Sequence, residues 1–242
     1  MMLYEGAASV AVGPEDVAIT ITYGMFGYHL GIAFGNGPDK APRLVHLAFH
    51  RHLKVGDYPG ENWAARVVSL PVDLSSQIVA LLHGLSSTHF VVNQKSVNYG
   101  LNLLCNVGTF KTDGEYNPPA DSDGHTCSSF IADIFESLQV PLVDLSTWTT
   151  NPENEAWKNA VVCALRAWAK SKHGTGSEAI AQSKEVVKLN EPLRLTPEEV
   201  AGAGSLSLTE RPASQVSVTP VAKRIVAELP EVCKPQPPQQ AV

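Results

Sequence analysis

The chain has 242 residues, of which 44% are hydrophobic and 17% are charged, and its formal net charge at pH 7 is −6. This composition is typical of a globular protein with a packed core. No run of Lys and Arg forms a phosphate-binding stripe, so nucleic acid is not an expected partner.

The first third of the chain has the sequence pattern of a β-sheet. Residues 16–24 and 29–37 predict two strands, residues 43–53 predict a third and residues 62–71 a fourth. The uncharged stretch 17–37 is long enough to span a bilayer, but five glycines, a histidine and an asparagine interrupt it. We therefore interpret this stretch as a buried hairpin and expect no integral membrane segment.

Three amphipathic stretches follow these strands and predict helices. The first covers residues 75–85, with Asp73 or Ser75 as its N-cap. The second covers residues 127–140 and the third covers residues 151–172. In the second stretch the apolar residues recur at the i, i+3 and i+4 spacing of one buried helical face. The expected fold class is therefore α+β, with an antiparallel sheet packed against helices.

The last part of the chain differs in composition from the rest. No Phe, Tyr or Trp follows Trp168, and the last 69 residues hold 8 of the chain's 17 prolines. A segment of this kind buries too little apolar surface to offset the entropy of ordering it. We predict one folded domain at residues 1–172 and a mostly disordered segment at residues 173–242, which could bind a protein partner.

The four cysteines are widely spaced and include no CxxC pair, so we expect neither a disulfide framework nor a zinc site. Cys127 differs from the others because it opens the helix predicted at residues 127–140, between Gly124 and two serines. The unpaired amides and the dipole of a helix N-terminus favour a thiolate. Cys127 is therefore a candidate nucleophile.

A cysteine nucleophile needs a base, usually a histidine that is oriented by a third polar group. His29 lies in the second predicted strand and is the candidate base. His46 lies in the neighbouring third strand and is the candidate orienting group, with His50 on the same strand face as the alternative. No metal-binding motif accompanies these histidines, so we expect no metal ion and no cofactor.

Three stretches together resemble a known family: TCSSFIADIF at 126–135, YHLGIAFGNG at 28–37 and RLVHLAFH at 43–50. They are similar to the nucleophile helix and the two His strands of the circularly permuted papain-like hydrolases. This family is related to the NlpC/P60 group and includes the lecithin:retinol acyltransferase-like enzymes. The resemblance covers residues 12–140, and the histidines precede the cysteine as in the permuted order.

The resemblance implies a permuted papain-like fold, in which an antiparallel sheet carries the histidines and a helix carries the cysteine at its N-terminus. It implies that Cys127 is the nucleophile, His29 the base and His46 the orienting group. In relatives the region around Tyr99 and Asn102 lies near the site, and either residue could supply an oxyanion or auxiliary donor.

The expected function is that of a thiol hydrolase, either an amidase or peptidase or an acyl-ester hydrolase, working through a thioacyl intermediate. The alternatives are an acyltransferase on lipid or amine acceptors, and a non-catalytic papain-like binding module that recruits partners through residues 173–242. Substrates implied by the resemblance are peptides, peptidoglycan and acyl lipids. The first residues lack the pattern of a secretory signal, so we expect a cytoplasmic protein or one delivered by a dedicated secretion system.

Overall fold

A six-stranded antiparallel sheet, in the order β1-β6-β2-β3-β4-β5, organises the described part of the chain. The structure is a computed structural model and describes residues 3–24, 27–37, 40–58, 62–86, 97–101, 110–117, 124–171, 176–189 and 192–229. The strands are β1 (Glu5–Gly6), β2 (Val17–Gly24), β3 (Gly27–Phe34), β4 (Arg43–Phe49), β5 (His52–Asp57) and β6 (Ala64–Val67). The α+β class and the antiparallel sheet predicted from the sequence are confirmed.

The third predicted strand is wrong in one respect, because residues 43–53 do not form a single strand. The chain turns back between β4 and β5, and Arg51 in that turn has a positive φ of 50°. A left-handed backbone is uncommon for a residue with a side chain, and no glycine or asparagine marks this turn in the sequence. The turn places His46 in β4 and His52 in β5.

Six helices of the described residues follow the strands: α1 (Val72–Leu85), α2 (Cys127–Glu136), α3 (Glu153–Trp168), α4 (Ser177–Lys188), α5 (Pro197–Ser205) and α6 (Gln215–Glu228). The first three confirm the predicted helices. Helix α1 begins before the predicted caps, and neither Asp73 nor Ser75 caps it with its side chain. Within the described residues, no helix is both long enough and apolar enough to cross a membrane.

The main hydrophobic core lies between one face of the sheet and helices α1, α2, α5 and α6. Successive side chains of a strand point to opposite faces of the sheet. Ile19 and Ile21 of β2 and Leu30 and Ile32 of β3 lie on the face that packs against these helices, and all four are fully buried. A separate cluster joins the end of β4 to α3 and α4. Helices α3 and α4 therefore form a wall beside the sheet.

The prediction of a mostly disordered segment after residue 172 is wrong for the described residues 176–189 and 192–229. Helices α5 and α6 contribute Val200, Val218 and Ile225 to the same core as the sheet, across the predicted domain boundary at 172. The prediction relied on the missing aromatic residues. Small and β-branched aliphatic side chains supply the buried surface instead, and Gly204 packs so closely on Ile19 that an added Cβ would lie 2.2 Å from it.

We expect Ile225→Ala to lower the free energy of unfolding by about 2–5 kcal/mol, because it leaves a cavity at a side chain that is 1% exposed. Val216→Ala in the same helix is the matched control, since Val216 is 84% exposed, and its effect should stay within about 0.5 kcal/mol. Urea denaturation of the full chain measures both values. Equal effects of the two substitutions would show that α6 does not pack on the core.

Candidate active site

Cys127 is the first residue of α2, and the residues around it fix the start of that helix. The Ser129 amide donates to Thr126 Oγ1 at 3.1 Å, and the Thr126 amide donates to Ser129 Oγ at 2.9 Å. This reciprocal cap uses two amides of the helix start, while those of Cys127 and Ser128 have no hydrogen-bond partner among the described residues. The sulfur is thus attached where the helix favours negative charge.

The chain enters α2 through a close backbone contact. Gly124 has a φ of 116°, and an added Cβ would lie 2.2 Å from the Asn98 carbonyl oxygen, so this position requires glycine. The His125 amide donates to the same carbonyl at 2.9 Å, and a parallel bridge pairs His125 with Tyr99. The segment 97–100 is therefore held directly beside the cysteine.

A gap between two strands brings Cys127 to the sheet. Strands β3 and β4 pair only where Ile32, Ala33 and Phe34 face residues 43–45, and beyond these residues the ladder ends. Helix α2 packs against both strands at this gap. The amide of Leu30, which has no partner in β4, donates a hydrogen bond to the Cys127 sulfur.

His29 also hydrogen-bonds to the Cys127 sulfur. Burial of the thiol raises its pKa, but the charge and hydrogen bond of His29, with hydrogen bonds from the Leu30 amide and the Ser128 hydroxyl, outweigh this effect. The pKa of Cys127 is therefore lowered below its usual value. The structure thus places a thiol that ionises readily against an imidazole.

His46 holds the other side of the His29 ring. His29 Nε2 lies 2.7 Å from His46 Nδ1, which leaves His29 Nδ1 for the sulfur. Burial, followed by the electrostatic effect of His29, lowers the pKa of His46 to about 3, so this ring is neutral near pH 7. When His46 Nδ1 accepts a hydrogen bond from His29 Nε2, the other ring nitrogen of His29, Nδ1, is left to exchange a proton with Cys127.

Trp63 lies against both histidines and was not found from the sequence. Its ring centroid is 5.9 Å from that of His29 and 5.4 Å from that of His46, in edge-to-face geometry. These contacts restrict the rotation of both imidazoles. In the sequence Trp63 is simply an aromatic residue near the start of the fourth predicted strand, and nothing there indicates that it reaches the histidines.

His50, the alternative orienting group, does not contact His29 in this arrangement. It is 1% exposed, and its Nδ1 accepts a hydrogen bond from the Tyr99 amide at 3.3 Å. Burial lowers the pKa of His50 to about 4, which keeps Nδ1 free to accept. His46 is therefore the partner of His29, and His50 supports Tyr99.

Tyr99 is brought to the sulfur, as the sequence prediction required. Burial and the nearby Cys127 both raise the pKa of the Tyr99 hydroxyl well above its usual value, so it remains a proton donor at any physiological pH. Its ring is tilted against Phe49, with centroids 4.8 Å apart. Asn102, the second candidate donor, lies outside the described residues.

A cavity of about 680 Å³ lies beside Cys127, His29, His46 and Tyr99. Most of its wall is apolar, and the aromatic residues among the described lining are Tyr28, Phe49, Trp63, Tyr99, Trp157 and Trp168. The described residues contain no group of three or more His, Cys, Asp and Glu side chains placed to hold a metal ion. The arrangement can bind a small apolar group and present a thiolate to it.

No protein-family model, curated protein or solved structure matches this chain.

Proposed function

We propose that the chain is a thiol hydrolase that cleaves amide or ester bonds through Cys127. One observation carries this proposal: His29 hydrogen-bonds to the Cys127 sulfur and, through Nε2, lies 2.7 Å from His46 Nδ1, beside a cavity large enough for a small substrate. A nucleophile, a base and a group that orients the base are the parts that covalent acyl transfer needs.

In the proposed reaction His29 accepts the Cys127 proton on Nδ1, and the thiolate attacks the carbonyl carbon of the substrate. The amides at the start of α2 and the Tyr99 hydroxyl donate hydrogen bonds to the oxyanion that forms. Protonated His29 returns the proton to the leaving amine or alcohol, which leaves a thioester on Cys127. Water, deprotonated by His29, then attacks the thioester and releases the acid and the free thiol.

The order of these groups along the chain supports a permuted papain-like arrangement. The histidine strands β3 and β4 precede the cysteine helix α2, and α2 packs on those strands with its N-terminus at the histidine. This is the order and the packing that the family resemblance implies for Cys127, His29 and His46. The proposal for the fold family depends on this correspondence.

The two alternatives differ in what they require of the same site. An acyltransferase would use the same thioester and differs only in the acceptor, an amine or a lipid hydroxyl in place of water. A non-catalytic binding module does not require a lowered thiol pKa or an ordered pair of histidines. The segment assigned to partner recruitment also packs into the core at α5 and α6, which favours the catalytic alternatives.

Alkylation by iodoacetamide across pH tests the proposal, because only the thiolate reacts. Since the pKa of Cys127 is lowered, its thiolate persists at pH values where an ordinary thiol is protonated, and its alkylation rate should begin to rise at lower pH. Peptide mass spectrometry must resolve the sites, and the exposed Cys163 provides an internal reference in the same sample. If the two cysteines titrated together, the proposal would lose its basis.

We expect Tyr99→Phe to reduce kcat by about 10²–10³-fold with little change in KM, the cost of removing one donor to the oxyanion. The change keeps the ring contact with Phe49 and removes only the hydroxyl. Steady-state hydrolysis of p-nitrophenyl hexanoate measures both constants. Tyr28→Phe is the matched control, since Tyr28 lines the same cavity and packs edge-on against Tyr23. A similar loss in both variants would exclude a specific role for Tyr99.

A further inference from the structure

The charge of the cavity is opposite to that of the chain as a whole. The chain has a net charge of −6, yet the described residues that line the cavity include Lys54 and Arg194 and no Asp or Glu. Neither cation forms an ion pair with a described residue. A cation in a mostly apolar cavity favours a ligand that carries negative charge, because the attraction is only weakly screened there.

Arg194 is the better placed of the two cations. Its guanidinium carbon lies 4.8 Å from the centroid of the Trp157 ring, a cation–π contact that holds the side chain against the aromatic wall. Arg194 is half-buried, whereas Lys54 is exposed on β5, the edge strand of the sheet. Glu198, on the first turn of α5, is near enough to feel the charge of Arg194 but does not line the cavity.

The aromatic wall supplies the apolar part of the site. Trp157 and Trp168 project from α3 on the side where Ala164 and Ala167 leave space, and Phe49 packs edge-on against Trp168 with centroids 5.4 Å apart. Small residues between two tryptophans form a slot that fits an acyl chain or an aromatic ring. The guanidinium of Arg194 lies at the Trp157 end of this slot.

The reacting sulfur and Arg194 belong to one continuous site. The Tyr99 hydroxyl feels the charge of both Cys127 and Arg194, and all three residues line the same cavity. The sulfur and the guanidinium therefore belong to the lining of one cavity, which a single substrate can occupy.

We propose that the preferred substrates of this site have an apolar body and a carboxylate, with the body between Trp157 and Trp168 and the carboxylate on Arg194. The planar guanidinium binds a carboxylate through two parallel hydrogen bonds, which lysine cannot reproduce. This inference rests on the proposed function, because the bound ligand is a substrate only if Cys127 hydrolyses it. The binding preference itself does not require catalysis.

Calorimetric titration of the full chain with three ligands of one shape tests the preference: 4-phenylbutyrate, 4-phenylbutanamide and 4-phenylbutylamine. We expect the carboxylate to bind about 10-fold or more tightly than the neutral amide, and the amine to bind most weakly. Arg194→Gln should remove the difference between carboxylate and amide. Arg194→Lys should retain part of it, and Lys223→Gln, which changes an exposed cation on α6 outside the cavity, should change nothing.

Equal affinities for the carboxylate and the amide, or tighter binding of the amine, would overturn the inference. Circular dichroism must show that Arg194→Gln is folded, and Arg194→Lys decides the outcome if it is not. Hydrolysis of the p-nitrophenyl esters of adipate and hexanoate separates the two proposals. If Cys127 supports turnover of both esters equally, the thiol hydrolase stands and the charge preference fails. If neither is hydrolysed but 4-phenylbutyrate is still preferred, only the binding site stands.

Discussion

Replacing Cys127 with alanine is expected to abolish hydrolysis of p-nitrophenyl hexanoate, with a loss on the order of 10⁶-fold in kcat, comparable to removal of the nucleophile from a catalytic triad. The loss is expected to be this large because, among the described residues, no other thiol or hydroxyl hydrogen-bonds to His29. Release of p-nitrophenolate under steady-state conditions measures the rate. The small size of alanine keeps the start of α2 intact, since the Thr126 and Ser129 cap does not use the sulfur.

Cys163→Ala is the matched control for this variant. Cys163 lies on α3, is exposed and does not line the cavity, so its removal should leave the rate unchanged. A second measurement follows the intermediate, because rapid acid quenching during turnover should show the hexanoyl group on the peptide that contains Cys127. Residual activity in Cys127→Ala equal to that of the wild-type chain would assign the hydrolysis to another group and remove the thioester from the mechanism.

The placement of the nucleophile and its base could be predicted because local patterns carry it. Apolar spacing locates the helix that begins at Cys127. A run flanked by glycines locates the strand of His29, and the apolar residues Leu44, Leu47 and Phe49 locate the strand of His46. The strand order puts the two imidazoles on neighbouring strands, although their contact lies beyond the Ile32–Val45 pair, where the ladder has ended. The sequence left His46 and His50 as alternatives, and the turn at Arg51, which separates β4 from β5, decides between them.

Other features of the site depend on contacts between distant segments and could not be predicted. The gap between β3 and β4 that exposes the Leu30 amide is a property of the whole sheet, and no residue in either strand marks it. Trp63 directly precedes β6, and its contact with the histidines depends on the position of β6 beside β2 in the sheet. Arg194 and the α5 and α6 helices fall within the segment predicted to be disordered. That prediction relied on composition and did not use the capping box at Thr196 and Glu199.

Capping signals would have corrected the prediction for that segment. Thr196 and Glu199 form the same reciprocal cap that starts α2, with Pro197 at the first helical position. Ser214 accepts a hydrogen bond from the Ser217 amide at the start of α6. Average composition describes how much surface a segment can bury, whereas these signals mark where a helix begins, and they remain informative when the helix is short and rich in alanine and glycine.

His29→Gln is expected to lower kcat/KM for p-nitrophenyl hexanoate by about 10²–10⁴-fold, the usual contribution of a general base. Glutamine has an amide that can still hydrogen-bond to His46, but it cannot accept the Cys127 proton. Loss of the His29 imidazole also removes the charge and the hydrogen bond that lower the pKa of Cys127, while the burial that raises this pKa remains. The alkylation rate of Cys127 should therefore rise with pH only at higher values than in the wild-type chain.

The two measurements on His29→Gln distinguish a base from a structural residue. His83→Gln is the matched control, because His83 is an exposed histidine on α1 that lies outside the cavity. The centroid of its ring is 5.2 Å from that of Phe34. A residue that only stabilised the fold would lower activity and leave the pH dependence of alkylation where it is. An unchanged alkylation profile in His29→Gln would mean that the imidazole does not share a proton with the sulfur, and the dyad would have to be abandoned even if hydrolysis were slower.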